Sequence, residues 1–319
     1  MRPGRETRYR MKSIAPIRAR VLGRATRPLW SLSRKLHVME RDFARGVIMP
    51  ALLETSAPSQ AALAVPVVSL VSHGSWLMAA WMARSLDYYS RRNWSHLWLD
   101  DGTLTDEDVD RATSVLGSLT VIRKEEVDAR LGPVLSDRPF MTMAAGDHPI
   151  FRRAFMLSVL LEEHDRLISI DSDVLFFARP VEILEWAESS QPEIRYLHDP
   201  ITHYFPDPAA LSEWAGFPVT PHINGGLTLP VRGAFDPDLT ESLLRDFFLK
   251  PDRGWHIEQS ILAVNFSRRP HRPLSSEHEI SFHAERHHYC VARHYVGDGR
   301  TRDYFYTEGI RGLAGLLMK

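Results

Sequence analysis

Two aspartates one residue apart, Asp171 and Asp173, are the first residues whose types and spacing suggest chemistry. They follow the apolar run Leu-Ile-Ser-Ile at 167–170, which is too short for a buried helix and is typical of a central strand covered on both faces. Side chains alternate along an extended chain, so both carboxylates are predicted to point the same way and to share one target. Two like charges held this close need a cation, a proton or water. Carboxylate oxygens at this density favour a hard cation, Mn²⁺ or Mg²⁺, which usually bridges to phosphate oxygens.

The aspartates stand at the end of a regular series of predicted strands and helices. Strands are predicted at 67–71, 96–102, 119–123 and 167–170, and helices at 75–90, 105–116 and 149–164. After residue 180 the pattern is looser, with strands predicted at 194–198 and 225–230 and helices at 239–249 and 257–266. This alternation predicts an α/β fold with a mixed, mostly parallel sheet flanked by helices. Ligands of such sheets bind at the carboxyl ends of the strands, where the aspartates lie.

The segment that contains both aspartates, DRLISIDSDVLFFARPVEIL, resembles the metal-binding segment of family 8 retaining glycosyltransferases. In that family two aspartates and the histidine of a distant His-x-x-Gly-x-x-Lys motif hold the metal that binds the diphosphate of a nucleotide sugar. His294, Gly297 and Arg300 match this spacing, with arginine in place of lysine. The resemblance implies a Mn²⁺ or Mg²⁺ site made of Asp171, Asp173 and His294. It also implies a GT-A type fold, with a Rossmann-like nucleotide-binding half and an acceptor half.

The resemblance assigns further residues to sugar transfer. Glu258 and Gln259 match an acidic residue and a glutamine near the anomeric carbon, although the family usually has aspartate at the first position. The residues assigned to the nucleotide sugar are Ser72, His73, Asp100, Arg153, Ser172, Asn224, Gly225, Gly226, Gly297 and Arg300. Purely structural explanations stay open for several of them. A Gly-Gly pair is typical of a turn, an acidic residue suits the first turn of a helix, and one of 15 histidines can simply lie at the surface.

The composition bounds the class of protein and its compartment. A chain of 319 residues, 44% of them hydrophobic, can bury a core as one large domain or two small ones. The single cysteine, Cys290, cannot form an intrachain disulfide. No run reaches 18 apolar residues, and the N-terminus has arginines where a signal peptide has an apolar core. We therefore expect a cytoplasmic protein that neither spans a membrane nor is exported.

The first 46 residues form a strongly basic arm. They contain 13 Lys or Arg against three acidic residues, a formal charge of about +10, so the remainder carries about −11. Apolar residues alternate with these cations, which suits an amphipathic helix in peripheral contact with the inner face of an anionic membrane. Prolines interrupt the arm, so a disordered or self-docking arm is an equal alternative. We assign residues 1–60 to the arm and its linker, and 61–319 to the GT-A type domain.

These observations predict a metal-dependent glycosyltransferase of the hexosyltransferase type. It would move a sugar from a UDP-sugar to a glycan or lipid-linked acceptor, with retention by family resemblance. A haloacid dehalogenase-like phosphatase is one alternative, because it also places Asp-x-Asp after a strand and could use the acidic segment 297–303 and Lys250. A non-catalytic nucleotide-sugar-binding module is another. No nucleic-acid partner is expected, since the basic arm has too few aromatic residues to stack bases.

Overall fold

The computed structural model describes residues 35–51, 62–250, 256–280, 287–296 and 303–317. Its strands are, in chain order, β1 (Ala62–Val71), β2 (Asn93–Asp100), β3 (Leu119–Ile122), β4 (Ile168–Ile170), β5 (Val174–Phe176), β6 (Ile194–His198), β7 (Ile223–Leu229), β8 (His271–Pro273), β9 (His278–Ile280) and β10 (Ala292–His294). The basic segment 1–34 lies outside the described residues.

Two sheets organise these strands. The larger has seven strands in the order β3-β2-β1-β4-β7-β6-β8, and the smaller has three in the order β5-β10-β9. Within the larger sheet β7 runs antiparallel to both of its neighbours, and the other adjacent pairs are parallel. The predicted α/β class with a mixed, mostly parallel sheet is therefore confirmed. The strands β1, β4 and β6 end at one edge, where a ligand can reach them.

Eleven helical segments surround the sheets in the described part of the chain. The first, α1, covers 35–51 and contains a π-helical turn at Ala44–Ile48. The others are α2 (Trp76–Ser90), α3 (Asp106–Val115), α4 (Lys124–Leu135), α5 (Pro139–Asp147), α6 (Pro149–Glu163), α7 (Val181–Glu188), α8 (Pro208–Ala215), α9 (Pro237–Phe247), α10 (His256–Phe266) and α11 (Phe305–Ile310 continuing as Arg311–Leu317). Within the described residues, no helix combines the length and apolar content that crossing a membrane requires.

Local signals explain where the predicted helices begin. The Thr105 hydroxyl accepts the Asp108 N–H (3.1 Å), and the Asp108 carboxylate accepts the Thr105 N–H (2.9 Å), so a complete capping box starts α3. Pro149 occupies the first turn of α6, where its missing N–H has no helical partner to lose. The sequence predicted these two starts because each depends only on neighbouring residues.

The first strand begins earlier than predicted. Strand β1 starts at Ala62, within the small-residue stretch that the sequence pattern indicates as a linker. Its register against β2 shifts between Leu63 and Pro66. Because Pro66 has no N–H to donate to a neighbouring strand, an irregularity there is expected.

The larger sheet is covered on both faces. Neighbouring residues of β1 belong to different apolar clusters, since Val68 lies in one with Phe155 of α6 and Val67 lies in another with Met82 of α2. Both valines are fully buried. Helices thus cover both faces of the sheet, and the polar residues lie at the carboxyl ends of its strands.

Candidate functional site

The two aspartates lie in the connection between β4 and β5. The Asp171 N–H donates to the Gly226 carbonyl (2.9 Å), and the Val174 N–H donates back to the Asp171 carbonyl (3.2 Å), which closes a turn. The expected extended geometry was wrong, because the chain turns here to pass from the larger sheet to the smaller one. The carboxylates nevertheless face a common group, since the turn folds Asp173 back toward Asp171.

His294 reaches the aspartates through the smaller sheet. Strand β10 pairs antiparallel with β5 and sets His294 opposite Val174. The His294 Nε2 atom lies 3.2 Å from Asp173 Oδ1 and 3.5 Å from Asp171 Oδ2. One potential ligand atom from each of the three residues lies within 4.8 Å of the others. The residues that the sequence assigned to one metal site are therefore neighbours in space, and together they could hold a cation.

A hydrogen-bonded chain determines which nitrogen of His294 faces the aspartates. The Asn224 Nδ2 group donates to Asp199 (3.0 Å), and Asn224 Oδ1 accepts the Gly226 N–H (2.9 Å). These contacts orient the amide, so Oδ1 is also the atom 3.0 Å from His294 Nδ1. An oxygen can only accept, which requires the imidazole hydrogen to lie on Nδ1. In the neutral ring Nε2 then presents its lone pair to the carboxylates.

The donor set fits a divalent cation. A lone pair that faces two carboxylates is repulsive, and a bound cation would relieve that repulsion. Two carboxylates and one imidazole supply the oxygen and nitrogen ligands of such an ion. The Asp199–Asn224 pair is arranged like the hydrogen-bonded groups that orient metal-binding histidines in other proteins. The geometry of these residues is therefore consistent with the metal site that the resemblance implies.

The glycine pair makes room for this arrangement. Gly225 and Gly226 lie inside β7, so the alternative explanation of a Gly-Gly turn is wrong. A Cβ atom on Gly226 would lie 2.1 Å from His294 Nδ1, and one on Gly225 would lie 2.9 Å from Leu262 Cδ1. At 226 a side chain would collide with the His294 ring, whereas at 225 the Leu262 side chain would have to move.

Arg153 connects the aspartates to Glu258. Its side chain is 4% exposed, and its guanidinium donates to Asp171 and, over 3.1 Å, to Glu258 Oε1. Burial raises the pKa of Glu258, and the charge of Arg153 opposes that rise. Glu258 lies in the first turn of α10, as the structural alternative also expects, and its side chain is buried there. The contact between Arg153 and a nucleotide stays a prediction.

Gln259 follows Glu258 in the sequence and is also buried, but its hydrogen bonding differs. The side chain is 5% exposed, yet its Oε1 atom accepts no hydrogen bond within the described residues. A buried amide oxygen without a partner costs free energy unless a ligand supplies the missing contact. Among the described residues the Gln259 Oε1 atom thus lacks a partner, whereas Glu258 is held by Arg153.

The residues assigned to the nucleoside lie at the ends of β1 and β2. Ser72 Oγ lies 2.9 Å from Ser75 Oγ, and His73 Nδ1 lies 2.7 Å from Asp108, a contact that raises the pKa of His73. Asp100 accepts the N–H groups of Gly102 (2.8 Å) and Leu104 (3.1 Å), so one of its oxygens shapes the loop after β2. These side chains line the expected edge, and their contacts with a nucleoside stay predictions.

Two assigned residues cannot be compared with the structure, and one partner was missed. Gly297 and Arg300 lie outside the described residues, whereas Ser172 lies between the aspartates and is mostly buried. Asp199, which orients Asn224, was not predicted. The signal was present, because Asp199 directly follows β6 just as Asp171 directly follows β4.

Comparisons with known proteins found similar structures but no matching sequence family. No family model and no curated protein matches the chain. The bifunctional glycosyltransferase WbbM, in its apo structure, is similar with a TM-score of 0.52 at 14% identity, over 80% of this chain and 52% of WbbM. The galactosyltransferase LgtC, in complex with donor and acceptor sugar analogs, is similar with a TM-score of 0.52 at 15% identity, over 79% of this chain and 95% of LgtC. The chain has a GT-A type fold. It spans about half the length of WbbM.

Proposed function

We propose that this protein is a metal-dependent glycosyltransferase that moves a sugar from a nucleoside diphosphate to an acceptor hydroxyl. The observation that carries the proposal is the convergence of Asp171, Asp173 and His294 at the carboxyl edge of a GT-A type sheet. The Asn224 contact that turns the Nε2 lone pair of His294 toward the carboxylates adds to it, because a structural surface histidine needs no such orientation.

The three residues would hold Mn²⁺ or Mg²⁺. A divalent cation in this position supplies electrostatic stabilisation to a departing diphosphate. Arg153 holds Asp171 in place through its guanidinium and leaves the other carboxylate oxygen toward His294. Arg300 is proposed to bind diphosphate oxygens bidentately, which suits the planar guanidinium.

Gln259 and Glu258 are proposed to act at the sugar. The unpaired buried amide oxygen of Gln259 is suited to stabilise positive charge that develops at the anomeric carbon. Glu258 is held by Arg153 and supports the first turn of α10, from which Gln259 projects. We propose a UDP-sugar donor, a glycan or lipid-linked acceptor and retention of configuration. The sugar analogs bound to LgtC support a donor and an acceptor site in this fold.

The phosphatase alternative is less compatible with the described residues. Of its two downstream acids, Asp298 lies outside the described residues, and Asp303 lies 3.5 Å from Arg41 of α1. Its candidate lysine, Lys250, lies over the ring of Phe247 at 4.6 Å. Among the described residues it is His294, and not Asp303, that lies in a cluster with Asp171 and Asp173. A binding module without turnover would share the same site, so only transfer or donor hydrolysis distinguishes it.

The test measures UDP binding by thermal shift with and without Mn²⁺, followed by donor hydrolysis across a panel of UDP-sugars. Selective binding stabilises the folded state by mass action. We expect stabilisation by UDP only with the metal, and its loss in Asp173→Ala and His294→Ala. Asp238→Ala is the matched control, because Asp238 is an exposed carboxylate that pairs with Arg138 and does not belong to the Asp171, Asp173 and His294 cluster. UDP binding that ignores the metal, or a silent His294→Ala with hydrolysis of simple phosphate esters, contradicts the proposal.

A further inference from the structure

The outward face of α1 carries an exposed apolar stripe, formed by Leu36, Met39, Phe43 and Val47. Their exposed fractions are 57%, 67%, 57% and 54%. Spacings of three and four residues place them on one side of the helix. Elsewhere in the described chain the large exposed apolar residues are scattered, namely Tyr88, Met143, Val181, Ile201, Leu249 and Tyr289. A contiguous apolar strip of this kind marks an interaction surface.

The opposite face of α1 fixes the helix to the body of the protein. Ala44 and Met49 are buried in an apolar cluster that they share with Phe305 of α11. The Trp81 indole N–H donates to the Met49 carbonyl (3.1 Å), and Arg41 pairs with Asp303 (3.5 Å). The stripe is therefore held outward by a docked helix and does not result from a helix that lacks tertiary contacts.

Charge identifies the kind of partner. The 34 residues that precede α1 contain ten Lys or Arg against one acid, Glu6, which is about +9. On α1 itself the exposed charges are Lys35 and Arg45 against Asp42, a small positive excess beside the stripe. A partner must therefore offer an apolar interior behind a negatively charged surface, and a bilayer that contains anionic lipids has both. A second copy of the chain is disfavoured, because pairing two stripes would bring together two segments of about +9.

We propose that α1 docks the protein on the surface of an anionic lipid bilayer, with Leu36, Met39, Phe43 and Val47 entering the interface. The helix lies along the membrane plane and does not cross it. This inference is independent of the proposed glycosyltransferase activity, since it uses neither the metal site nor α10.

The experiment is co-sedimentation of the full chain with vesicles of phosphatidylcholine alone or mixed with phosphatidylglycerol. The stripe variant is Leu36→Glu/Phe43→Glu. The control variant is Met143→Glu/Leu249→Glu, which makes the same charge change at exposed apolar residues away from α1. Circular dichroism melting confirms that both variants fold. UDP binding, measured without vesicles, tests the proposed enzyme function separately from membrane binding.

We expect the wild-type chain to bind the anionic vesicles, the stripe variant to bind roughly tenfold more weakly, and the control variant to bind like wild type. Equal binding by the two variants overturns the docking role of the stripe, and equal binding to neutral vesicles overturns the choice of an anionic surface. A wild-type oligomer that dissociates in the stripe variant, with no change in vesicle binding, would assign the stripe to self-association instead.

Discussion

The hydrogen bond from His294 Nδ1 to Asn224 leaves Nε2 as the nitrogen that faces Asp171 and Asp173. The sequence predicted His294 and Asn224 separately, through two motifs that lie 70 residues apart. It did not predict their hydrogen bond or the contribution of Asp199, because neither depends on local spacing. The pairing of strands in the sheets determines which side chains meet at the site. The spacing of residues along the sequence does not contain that information.

Replacing Asn224 by alanine tests this support directly. The change removes the acceptor for the Nδ1 hydrogen, so the imidazole can rotate or change tautomer, and we expect Mn²⁺ affinity to fall by about 10- to 100-fold. The measurement is Mn²⁺ titration followed by electron paramagnetic resonance of the free ion. Asn265→Ala is the matched control, because Asn265 is also buried and hydrogen-bonded but contacts Thr240 and the Ile261 carbonyl. A similar loss of affinity in both variants would indicate general destabilisation.

Gln259 permits a second test at the scale of one residue. If its unpaired amide oxygen contacts the reacting sugar only as charge develops, Gln259→Ala should lower turnover by about a hundredfold while donor affinity barely changes. Donor hydrolysis under single-turnover conditions measures the first quantity, and calorimetry with UDP and Mn²⁺ measures the second. Unchanged turnover with weakened donor binding would instead make Gln259 a binding residue.

The elements that could be predicted are those whose signals are local. The capping box at Thr105, Pro149 at the start of α6 and the buried run before Asp171 each lie within a few residues of the element that they specify. The strands β5, β9 and β10 have three residues each and no periodicity, and they exist only because they pair with one another. Strand β10 carries His294, so the element that completes the site was the least predictable.

Gly226 is the point at which strand β7 and the histidine of β10 meet most closely. A Cβ atom there would overlap the imidazole, so Gly226→Ala should displace His294, weaken Mn²⁺ binding and destabilise the fold by about 1–3 kcal/mol. Gly146→Ala is the control, because Gly146 lies in helix α5 with no atom within 4 Å of an added Cβ. That change should be neutral or stabilising, since alanine favours a helix over glycine. Urea unfolding measures the change in folding free energy of both variants, and metal titration measures their Mn²⁺ affinity.

At the scale of the whole molecule the chain combines a basic N-terminal segment with an acidic remainder. Composition alone indicated this asymmetry and left two alternatives, a membrane-binding arm and an arm that docks on its own domain. For 35–51 the structure shows docking, because α1 packs against α2 and α11. The same helix also has an outward apolar face, which the proposed docking on a bilayer would use. A sequence pattern could not separate the two alternatives, since both faces of α1 contain apolar residues.

Ionic strength should separate the two proposed contributions to membrane binding. The attraction of the basic segment acts through solvent and is screened beyond about 30 Å at 0.01 M salt and about 8 Å at 0.15 M. Insertion of the α1 stripe depends on apolar contact, which moderate salt does not weaken. Raising the salt should therefore weaken wild-type binding to phosphatidylglycerol vesicles to a measurable plateau, whereas Leu36→Glu/Phe43→Glu should lose binding entirely. Vesicle co-sedimentation across a salt series measures both curves, and parallel curves without a plateau would mean that charge alone holds the protein at the bilayer.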